Sequence, residues 1–306
     1  WQKILAEAHL VESNKLATYH IELGRLYGNF VNNFTEKYKI QADFIASHGH
    51  TVIHQPDKGI TLQIGDGKTI AATTGIKVVC DFRKQDVDLG GQGAPLVPVG
   101  DWLLFPDYYY CLNLGGFANI SYEINSDCVA FDICPVNTVL NYLANLVGLT
   151  YDDRGKFASK GHLIPELYDK LNTLTFYHKK GPKTLGKEWL MEEFIPILND
   201  DSSNVENKLA TVIWHIAEQI KIATLYISAK DILITGGGAY NRYLIEQIKK
   251  KVSHHIIIPD DILIQFKEAM IFAFLGVLRL RNEVNCLKSV TGARRNHCSG
   301  IVFQPD

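Results

Sequence analysis

One well-placed carboxylate is the strongest candidate for chemistry in this sequence. It is Asp132 in FDICPVN, where an apolar strand ends and a turn leads into a helix. Open α/β sheets hold their ligands at such strand ends, and an ionised aspartate there can accept a proton. An aspartate that merely caps the turn would leave the same pattern, so both interpretations stay open.

Two glycine turns follow apolar strands. CLNLGGFANIS places Gly115 and Gly116 inside a hairpin, and ILITGGGAYN places Gly236, Gly237 and Gly238 between a strand and a helix. Tight turns alone would explain these glycines. A ligand lying against the backbone would also require them, because it leaves no room for a Cβ.

Histidines and cations supply weaker signals. HGHTVIH brings His48, His50 and His54 close together, but zinc needs further ligands and no partner is evident. We therefore expect a polar substrate wall, with a structural histidine cluster as the alternative. His215 is expected to be an ordinary core or surface histidine. GPKTLGKE (181–188) departs from a phosphate loop at Glu188 and predicts a basic surface loop.

Composition disfavours several classes of protein. The 306 residues carry a net charge of −2, which disfavours nucleic-acid binding. No apolar run approaches the roughly 18 residues that span a membrane. The six cysteines form no CxxC pair, which is typical of reduced thiols in a cytoplasmic protein.

The order of elements predicts an α/β protein. Residues 1–38 have helical periodicity, and a β-rich stretch follows, with a hairpin expected at Asp66-Gly67 and then a long loop from DFRKQ to PVGD. Further along, strands alternate with helices, which indicates parallel strands. We expect domain I at 1–108 and domain II at 109–306, with a C-terminal tail that can return to domain I.

Together, the Gly-Gly hairpin, the strand-end Asp132 and the late strand–GGG–helix resemble the superfamily of sugar kinases, heat-shock chaperones and actin ATPases. The resemblance implies an actin-like ATPase (ribonuclease H-like) fold with two domains and a cleft between them. It also implies that the hairpin binds phosphates and that the triple glycine passes under the adenosine. The nucleotide-binding residues it implies are Gly115, Gly116, Gly236, Gly237, Gly238 and Asn241.

A longer series of motifs resembles the anhydro-N-acetylmuramic acid kinase family over almost the whole chain. The motifs, in order, are SHGHTVIHQP, TLQIGDG, TGIKVVCDFRKQDVDLGGQGAPLVP, LNLGGFANIS, PKTLGKEWL, ITGGGAYN and SVTGA. The resemblance implies a cytoplasmic, ATP- and Mg²⁺-dependent kinase of peptidoglycan recycling. Such an enzyme opens the 1,6-bridge of 1,6-anhydro-N-acetylmuramic acid and phosphorylates O6. The resemblance also implies that the partner is this small sugar and that the protein can form a homodimer.

The family pattern also assigns residues. The aspartate of its D-T-G-P-G-N motif is the base, and it corresponds to Asp132. The lactyl carboxylate of the sugar should meet a cation, for which Arg83 or Lys84 is expected, with a solvated loop charge as the alternative. The full set of expected sugar-binding residues is His48, His50, Arg83, Lys84, Gln92 and Asn137.

Two departures keep a second hypothesis open. The family begins with a strand and a G-T-S-x-D-G-x-D phosphate loop, and neither is found in this sequence. We therefore expect either that further sequence lies upstream or that the protein does not bind the ATP phosphates in the way the family does. In addition, Ile133, Cys134 and Val136 replace Thr, Gly and Gly of the motif. The alternative to a kinase is a non-catalytic actin-fold protein that binds sugar or nucleotide, or a chaperone-like relative.

Overall fold

The computed structural model describes residues 1–179, 183–226 and 230–305. They divide into two compact units, the first made of Trp1–Gly100 with Glu268–Asp306 and the second of Asp101–Lys267. The expected domains, 1–108 and 109–306, differ from this division at both ends of the second unit. The reason lies in two helices, Val97–Leu104 and Asp261–Leu280, because each contains a point where the chain passes from one unit to the other.

The strands and helices of the described residues are as follows. The strands are β1 (Ile45–Ser47), β2 (His50–Gln55), β3 (Ile60–Ile64), β4 (Val78–Cys80), β5 (Tyr110–Leu114), β6 (Phe117–Ile124), β7 (Asp127–Pro135), β8 (Asp231–Thr235), β9 (His255–Ile257) and β10 (Ile301–Phe303). The helices are α1 (Gln2–Glu7), α2 (Ser13–Tyr38), α3 (Gly67–Thr74), α4 (Lys84–Asp88), α5 (Val97–Leu104), α6 (Asn137–Asn145), α7 (Pro165–Asn172), α8 (Thr175–His178), α9 (Lys187–Trp189), α10 (Ile195–Asp200), α11 (Val205–Ala223), α12 (Arg242–Lys251), α13 (Asp261–Leu280) and α14 (Lys288–Thr291). None of these helices is long and apolar enough to cross a membrane.

The second unit is built on a mixed sheet in the order β7-β6-β5-β8-β9. Strand β6 runs antiparallel to both neighbours, whereas β5, β8 and β9 are parallel. The chain therefore forms a three-stranded meander and then crosses over through helices to its parallel strands. This order is that of a ribonuclease H-like unit, and it confirms the predicted α/β class with parallel strands in the second half.

Apolar runs explain why the central strands and α11 are buried. Residues 232–235 of β8 are all buried, as expected of a parallel strand covered on both faces. Helix α11 buries side chains around most of its circumference. His215 lies among them, with its ring nitrogens 2.9 Å from Asn172 Oδ1 and 2.9 Å from the Tyr177 hydroxyl. Burial lowers the pKa of His215 to about 3, which confirms the prediction of a satisfied core histidine.

The first unit contains a sheet in the order β1-β4-β10 and a separate β2–β3 pair. The hairpin expected at Asp66-Gly67 is wrong, because Asp66 caps α3 by accepting a hydrogen bond of 2.8 Å from the Thr69 N–H. Asp-Gly suits a helix start as well as a turn. The long loop expected from DFRKQ to PVGD is also interrupted, by α4 and α5.

Candidate active site

Asp132 lies near the end of β7, beside a bulge. Asn119 of β6 pairs with Asp132, and Ala118 pairs with Cys134, so Ile133 is the extra residue of the bulged strand. Bulges bend a strand, re-aim the adjacent side chains and are frequent next to active sites. The bulge at Ile133 thus interrupts, next to Asp132, the regular alternation of side chains between the two faces of β7.

The segment after α8 holds the Asp132 carboxyl group in place. The backbone N–H of Asp132 donates to the Lys183 carbonyl over 2.9 Å, and Oδ2 accepts from the Leu185 N–H over 2.8 Å. Oδ1 has no hydrogen-bond donor among the described residues. Burial raises the pKa of Asp132, and the Leu185 hydrogen bond opposes that rise. The result is a fixed carboxylate with one available oxygen and increased basicity.

These contacts also change the interpretation of GPKTLGKE. Gly181 and Pro182 of this segment lie outside the described residues. Lys183 is half-buried, and its Nζ donates to the Phe176 carbonyl over 3.2 Å and lies 4.5 Å from the centre of that ring. The described part of the segment therefore supports Asp132 instead of forming only a basic surface loop.

Buried side chains replace the two glycines of the family motif in the turn after Asp132. Cys134 and Val136 are fully buried in the core of the second unit. Val136 has φ −126°, and the positive-φ residues lie elsewhere in the described chain. Neither replaced position therefore requires glycine for a positive φ. Asn137 begins α6, and its Nδ2 donates to the Leu114 carbonyl over 3.0 Å.

The Gly115-Gly116 hairpin supports the start of α6. The carbonyl of Gly115 accepts from the Asn137 N–H, and the carbonyl of Gly116 accepts from Val136 N–H and from both the N–H and hydroxyl of Thr138. The N–H groups of the two glycines make no hydrogen bond to the described residues. Gly116 is exposed. Free amides in such a turn can bind an anion.

Two glycines of the triple-glycine turn are required by the protein itself. Gly236 has φ +82°, and a Cβ there would lie 2.5 Å from Asn113 Oδ1. A Cβ on Gly238 would lie 2.7 Å from Leu114 Cβ. For Gly237 the nearest atom is Asn137 Nδ2 at 3.4 Å, which is ordinary contact. Only Gly237 is therefore left to be explained by a ligand.

Gly237 lines a cavity of about 600 Å³ in the second unit, a size that suits a nucleotide. Of the predicted residues, Asn137, Gly237 and Asn241 line it, whereas Gly115, Gly116, Gly236 and Gly238 do not. The Asn241 side chain caps α12 by accepting from the Leu244 N–H over 3.0 Å, so its amide oxygen is already engaged.

Sequence reasoning missed other residues of this cavity. Arg154 and Arg242 lie in its wall with Tyr151, Asp153 and Asp261. Arg154 has φ +59°, an uncommon conformation for a residue with a side chain and one that is concentrated at functional sites. The signal was slight, because residues 151–204 are polar and irregular. Only the fold brings that segment beside the glycine turn.

In the first unit, Arg83 and His48 form a half-buried pair. Arg83 Nε donates to His48 Nε2 over 2.8 Å, and Arg83 Nη1 donates to the Gly93 carbonyl over 2.6 Å. Because arginine only donates, the His48 hydrogen lies on Nδ1, which is 3.0 Å from the Gly49 carbonyl. Burial, followed by the charge of Arg83, lowers the pKa of His48 to about 4. His48 is therefore neutral and orients Arg83.

The remaining predicted sugar ligands occupy separate positions. Lys84 is exposed and pairs with Asp88 over 2.5 Å. Gln92 is exposed, and its N–H donates to the Thr291 carbonyl over 2.8 Å. His50 begins β2 opposite Ile64.

A cavity of about 280 Å³ in the first unit brings together part of the predicted set. His48 and Lys84 line it, but His50, Arg83 and Gln92 do not. Asp66 and Asp81 line it too, and sequence reasoning missed both. Asp81 has φ +57°, and burial raises its pKa.

The described side chains do not fit a protein-only Mg²⁺ site. Mg²⁺ prefers oxygen ligands in octahedral geometry. The one group of three metal-capable side chains among the described residues is Asp86, Cys286 and His297, in which a thiol and an imidazole replace oxygen ligands.

Comparison with known proteins shows what this chain resembles. The sequence profile described as Anhydro-N-acetylmuramic acid kinase matches residues 3–305. An anhydro-N-acetylmuramic acid kinase of Shewanella sediminis is 35% identical over 96% of this chain and 85% of its own length. An anhydro-N-acetylmuramic acid kinase of Acinetobacter baylyi is 34% identical over 92% of this chain and 82% of its own length. Among solved structures, the activator of 2-hydroxyisocaproyl-CoA dehydratase from Clostridium difficile is 15% identical over 69% of this chain and 82% of its own, with a TM-score of 0.39, which is too low to support a conclusion.

Proposed function

The chain belongs to the anhydro-N-acetylmuramic acid kinase family, and on that premise we propose that it is an ATP-dependent kinase of 1,6-anhydro-N-acetylmuramic acid. In the proposed reaction the oxygen of water bonds to the anomeric carbon, and the bond from that carbon to O6 breaks. O6 then bonds to the γ-phosphorus of ATP, and the bond from that phosphorus to ADP breaks, so that ADP leaves. The product is N-acetylmuramic acid 6-phosphate, an intermediate of cell-wall recycling.

Asp132 is the observation on which the proposal rests. Its Oδ2 is fixed by the Leu185 N–H, its Oδ1 has no described donor, and burial raises its pKa. In the proposal, Oδ1 accepts the proton that water loses as it attacks. A raised pKa favours that step, because general bases work best when their pKa lies nearer the operating pH.

The 600 Å³ cavity is the proposed adenosine site. Gly237 allows a ligand to lie against its backbone, and Asn137 lies beside it. The same wall holds two cations, Arg154 and Arg242, beside three aspartates (Asp152, Asp153 and Asp261). We assign the free N–H groups of Gly115 and Gly116 to phosphate oxygens.

Arg83 is the proposed partner of the lactyl carboxylate. Its guanidinium is half-buried, is oriented by His48 and forms no ion pair with a described carboxylate within 4 Å. A bidentate arginine–carboxylate contact would satisfy it. Lys84 is the weaker candidate, because Asp88 already neutralises it.

Three further properties complete the proposal. Mg²⁺ would arrive with the ATP phosphates and neutralise their charge. The protein would be a cytoplasmic homodimer, and its unpaired cysteines are in keeping with a reducing compartment. Its partner would be the small sugar and not nucleic acid, as the net charge of −2 supports.

The test is a coupled assay of ADP release with and without 1,6-anhydro-N-acetylmuramic acid, carried out in ¹⁸O-labelled water. We expect sugar-dependent ADP release and one ¹⁸O atom at the anomeric carbon of the phosphorylated product. N-acetylmuramic acid, which has no bridge to open, is the control sugar. Binding of sugar and nucleotide without turnover would instead identify a non-catalytic relative.

A further inference from the structure

A buried group of side chains in the first unit lies outside the proposed reaction. Asp86, Cys286 and His297 are 0%, 1% and 5% exposed. Cys286 and His297 face each other across an antiparallel bridge and exchange both backbone hydrogen bonds. That bridge directs both side chains to the carboxylate of Asp86, which α4 supplies.

The atoms of this group are spaced as metal ligands. Cys286 Sγ lies 3.1 Å from Asp86 Oδ1, and His297 Nε2 lies 3.6 Å from the same oxygen. The three ligand atoms are all within 4.8 Å of one another. Bonds of about 2.0–2.3 Å at tetrahedral angles place zinc ligands roughly 3.5 Å apart, so the existing spacing requires little adjustment.

A buried ring nitrogen of His297 without a hydrogen-bond partner also indicates a metal ligand. Its Nδ1 donates to the Arg295 carbonyl over 3.2 Å, which leaves a lone pair on Nε2. That Nε2 is buried and has no hydrogen-bond partner among the described residues. Buried polar atoms without partners are rare and need an explanation. A histidine bound to metal through one nitrogen and to a backbone carbonyl through the other would explain it.

Hydrogen bonds hold the Asp86 carboxylate in place, as is common for a carboxylate that binds metal. Its Oδ2 accepts from the Gly93 N–H over 2.7 Å, and its Oδ1 accepts from the Thr291 hydroxyl over 2.7 Å. Ligating carboxylates are commonly held by hydrogen bonds of this sort. A Cβ on Gly91 would lie 2.2 Å from Asp86 Oδ2, so the loop wraps closely around the carboxylate.

We propose that Asp86, Cys286 and His297 bind Zn²⁺ as a structural site. The oxygen, thiolate and imidazole donors form a borderline-soft set that suits Zn²⁺ and not Mg²⁺. On binding, Cys286 loses its thiol proton to solvent, so that Asp86 and the thiolate together balance the charge of the ion. The fourth ligand would be Thr291 Oγ1 or a water. Such a site would tie α4, directly after Arg83, to the C-terminal segment of the chain.

The competing arrangement is an ion pair between protonated His297 and Asp86. A protonated Nε2 would form a hydrogen bond of about 2.8 Å, and the observed 3.6 Å is too long for one. The two arrangements differ in one measurable property, because only the proposed one binds metal.

The experiment uses the whole chain, unfolded in a chelator and refolded with Zn²⁺ or Co²⁺, since a buried site fills as the protein folds. We expect about one Zn²⁺ per chain by elemental analysis and, with Co²⁺, a thiolate-to-cobalt charge-transfer band. Cys286→Ser and His297→Gln should each lower the metal affinity at least tenfold, and Cys286→Ser should abolish the band. Cys298→Ser is the matched control and should retain both signals.

Two results would overturn the proposal. One is wild-type protein that refolds to its native circular dichroism spectrum yet binds neither metal. The other is folded Cys286→Ser that binds Zn²⁺ as tightly as wild type. If neither variant folds, the cobalt spectrum of the Cys298→Ser protein still decides, because the thiolate band requires a cysteine ligand and Cys286 is the cysteine that lies in a group of three metal-capable side chains among the described residues. Absence of the band from folded wild-type protein refolded with Co²⁺ would also overturn the proposal.

Discussion

At the scale of single residues, Asp132 illustrates how a fold adjusts a carboxylate. Exposed aspartates are weak bases near neutral pH, and burial counteracts this by penalising the charged form. Here a bulge beside Asp132 and one hydrogen bond from Leu185 leave a single oxygen available.

Asp132→Asn should preserve shape and remove the base. We expect kcat for phosphorylation to fall by about 10² to 10⁴, with sugar affinity nearly unchanged. The measurement is turnover in the coupled assay together with calorimetric sugar binding. Asp127→Asn, an exposed change on the same strand, is the control and should retain the wild-type rate. Wild-type turnover by Asp132→Asn would exclude this residue as the base.

Gly237→Val should separate ligand binding from folding. A Cβ at this position meets only Asn137 Nδ2 among the described residues, at an ordinary contact distance, so we expect the melting temperature to change little. Toward a bound nucleotide the added side chain should act as an overpacked group, which costs about 1–3 kcal/mol, or roughly 5- to 150-fold in ATP affinity. Nucleotide titration by fluorescence measures this. Gly236→Val is the contrast, since it should destabilise the fold itself, and unchanged ATP affinity in folded Gly237→Val would remove the adenosine assignment.

At the scale of elements, helix starts contribute measurable stability. Asp66 caps α3 through the Thr69 N–H and hydroxyl. Burial acts to raise the pKa of Asp66, but the hydrogen bonds from Thr69, with smaller contributions, outweigh it and the net pKa is lowered. The cap is therefore strongest when the carboxyl group is ionised.

Asp66→Ala should cost about 1 kcal/mol of unfolding free energy at pH 7. Because the folded pKa is depressed, the charge-dependent part of this difference is complete above the unfolded pKa of about 3.9 and is lost as the pH falls through the folded value. Urea denaturation of both proteins at pH 7 and near pH 3 would measure it. Asp88→Ala in the exposed Lys84 pair should cost at most about 0.5 kcal/mol. An Asp66→Ala difference that grows on acidification would contradict the cap.

At the scale of the whole molecule, an ion pair joins the first and last residues of the second unit. Asp101 and Lys267 are the first and last residues of that unit, and they are 6% and 5% exposed. Lys267 Nζ lies 2.8 Å from Asp101 Oδ1, and the Ser121 hydroxyl donates to Oδ2 over 2.7 Å. The charge of each group is therefore balanced where the chain enters and leaves the unit.

Lys267→Met should destabilise the protein by about 3–5 kcal/mol, because it leaves a buried, unpaired carboxylate. Adding Asp101→Asn should recover much of that loss, since the amide can still accept the Ser121 hydrogen bond without a charge. Unfolding in urea measures both variants. Lys84→Met in an exposed pair is the control, with an expected cost below about 1 kcal/mol. A double variant no more stable than Lys267→Met would argue against charge burial as the cause.

The family membership and the α/β class followed from the sequence because both depend on local order. Strand and helix periodicities, turn residues and a series of motifs are all properties of neighbouring residues. His215 was likewise predictable, since apolar residues surround it on one helix.

Only the tertiary structure decided what several of those residues do. Gly236 and Gly238 are needed because Asn113 and Leu114 approach them, which no motif of the turn itself reveals. Asp132 obtains its hydrogen-bond donor from a segment more than 50 positions away, and its burial in the folded unit raises its pKa against that hydrogen bond. Asp86 and Cys286 lie 200 positions apart. Close approach, burial and ligand geometry are made by packing between distant segments, and a local pattern carries no information about them.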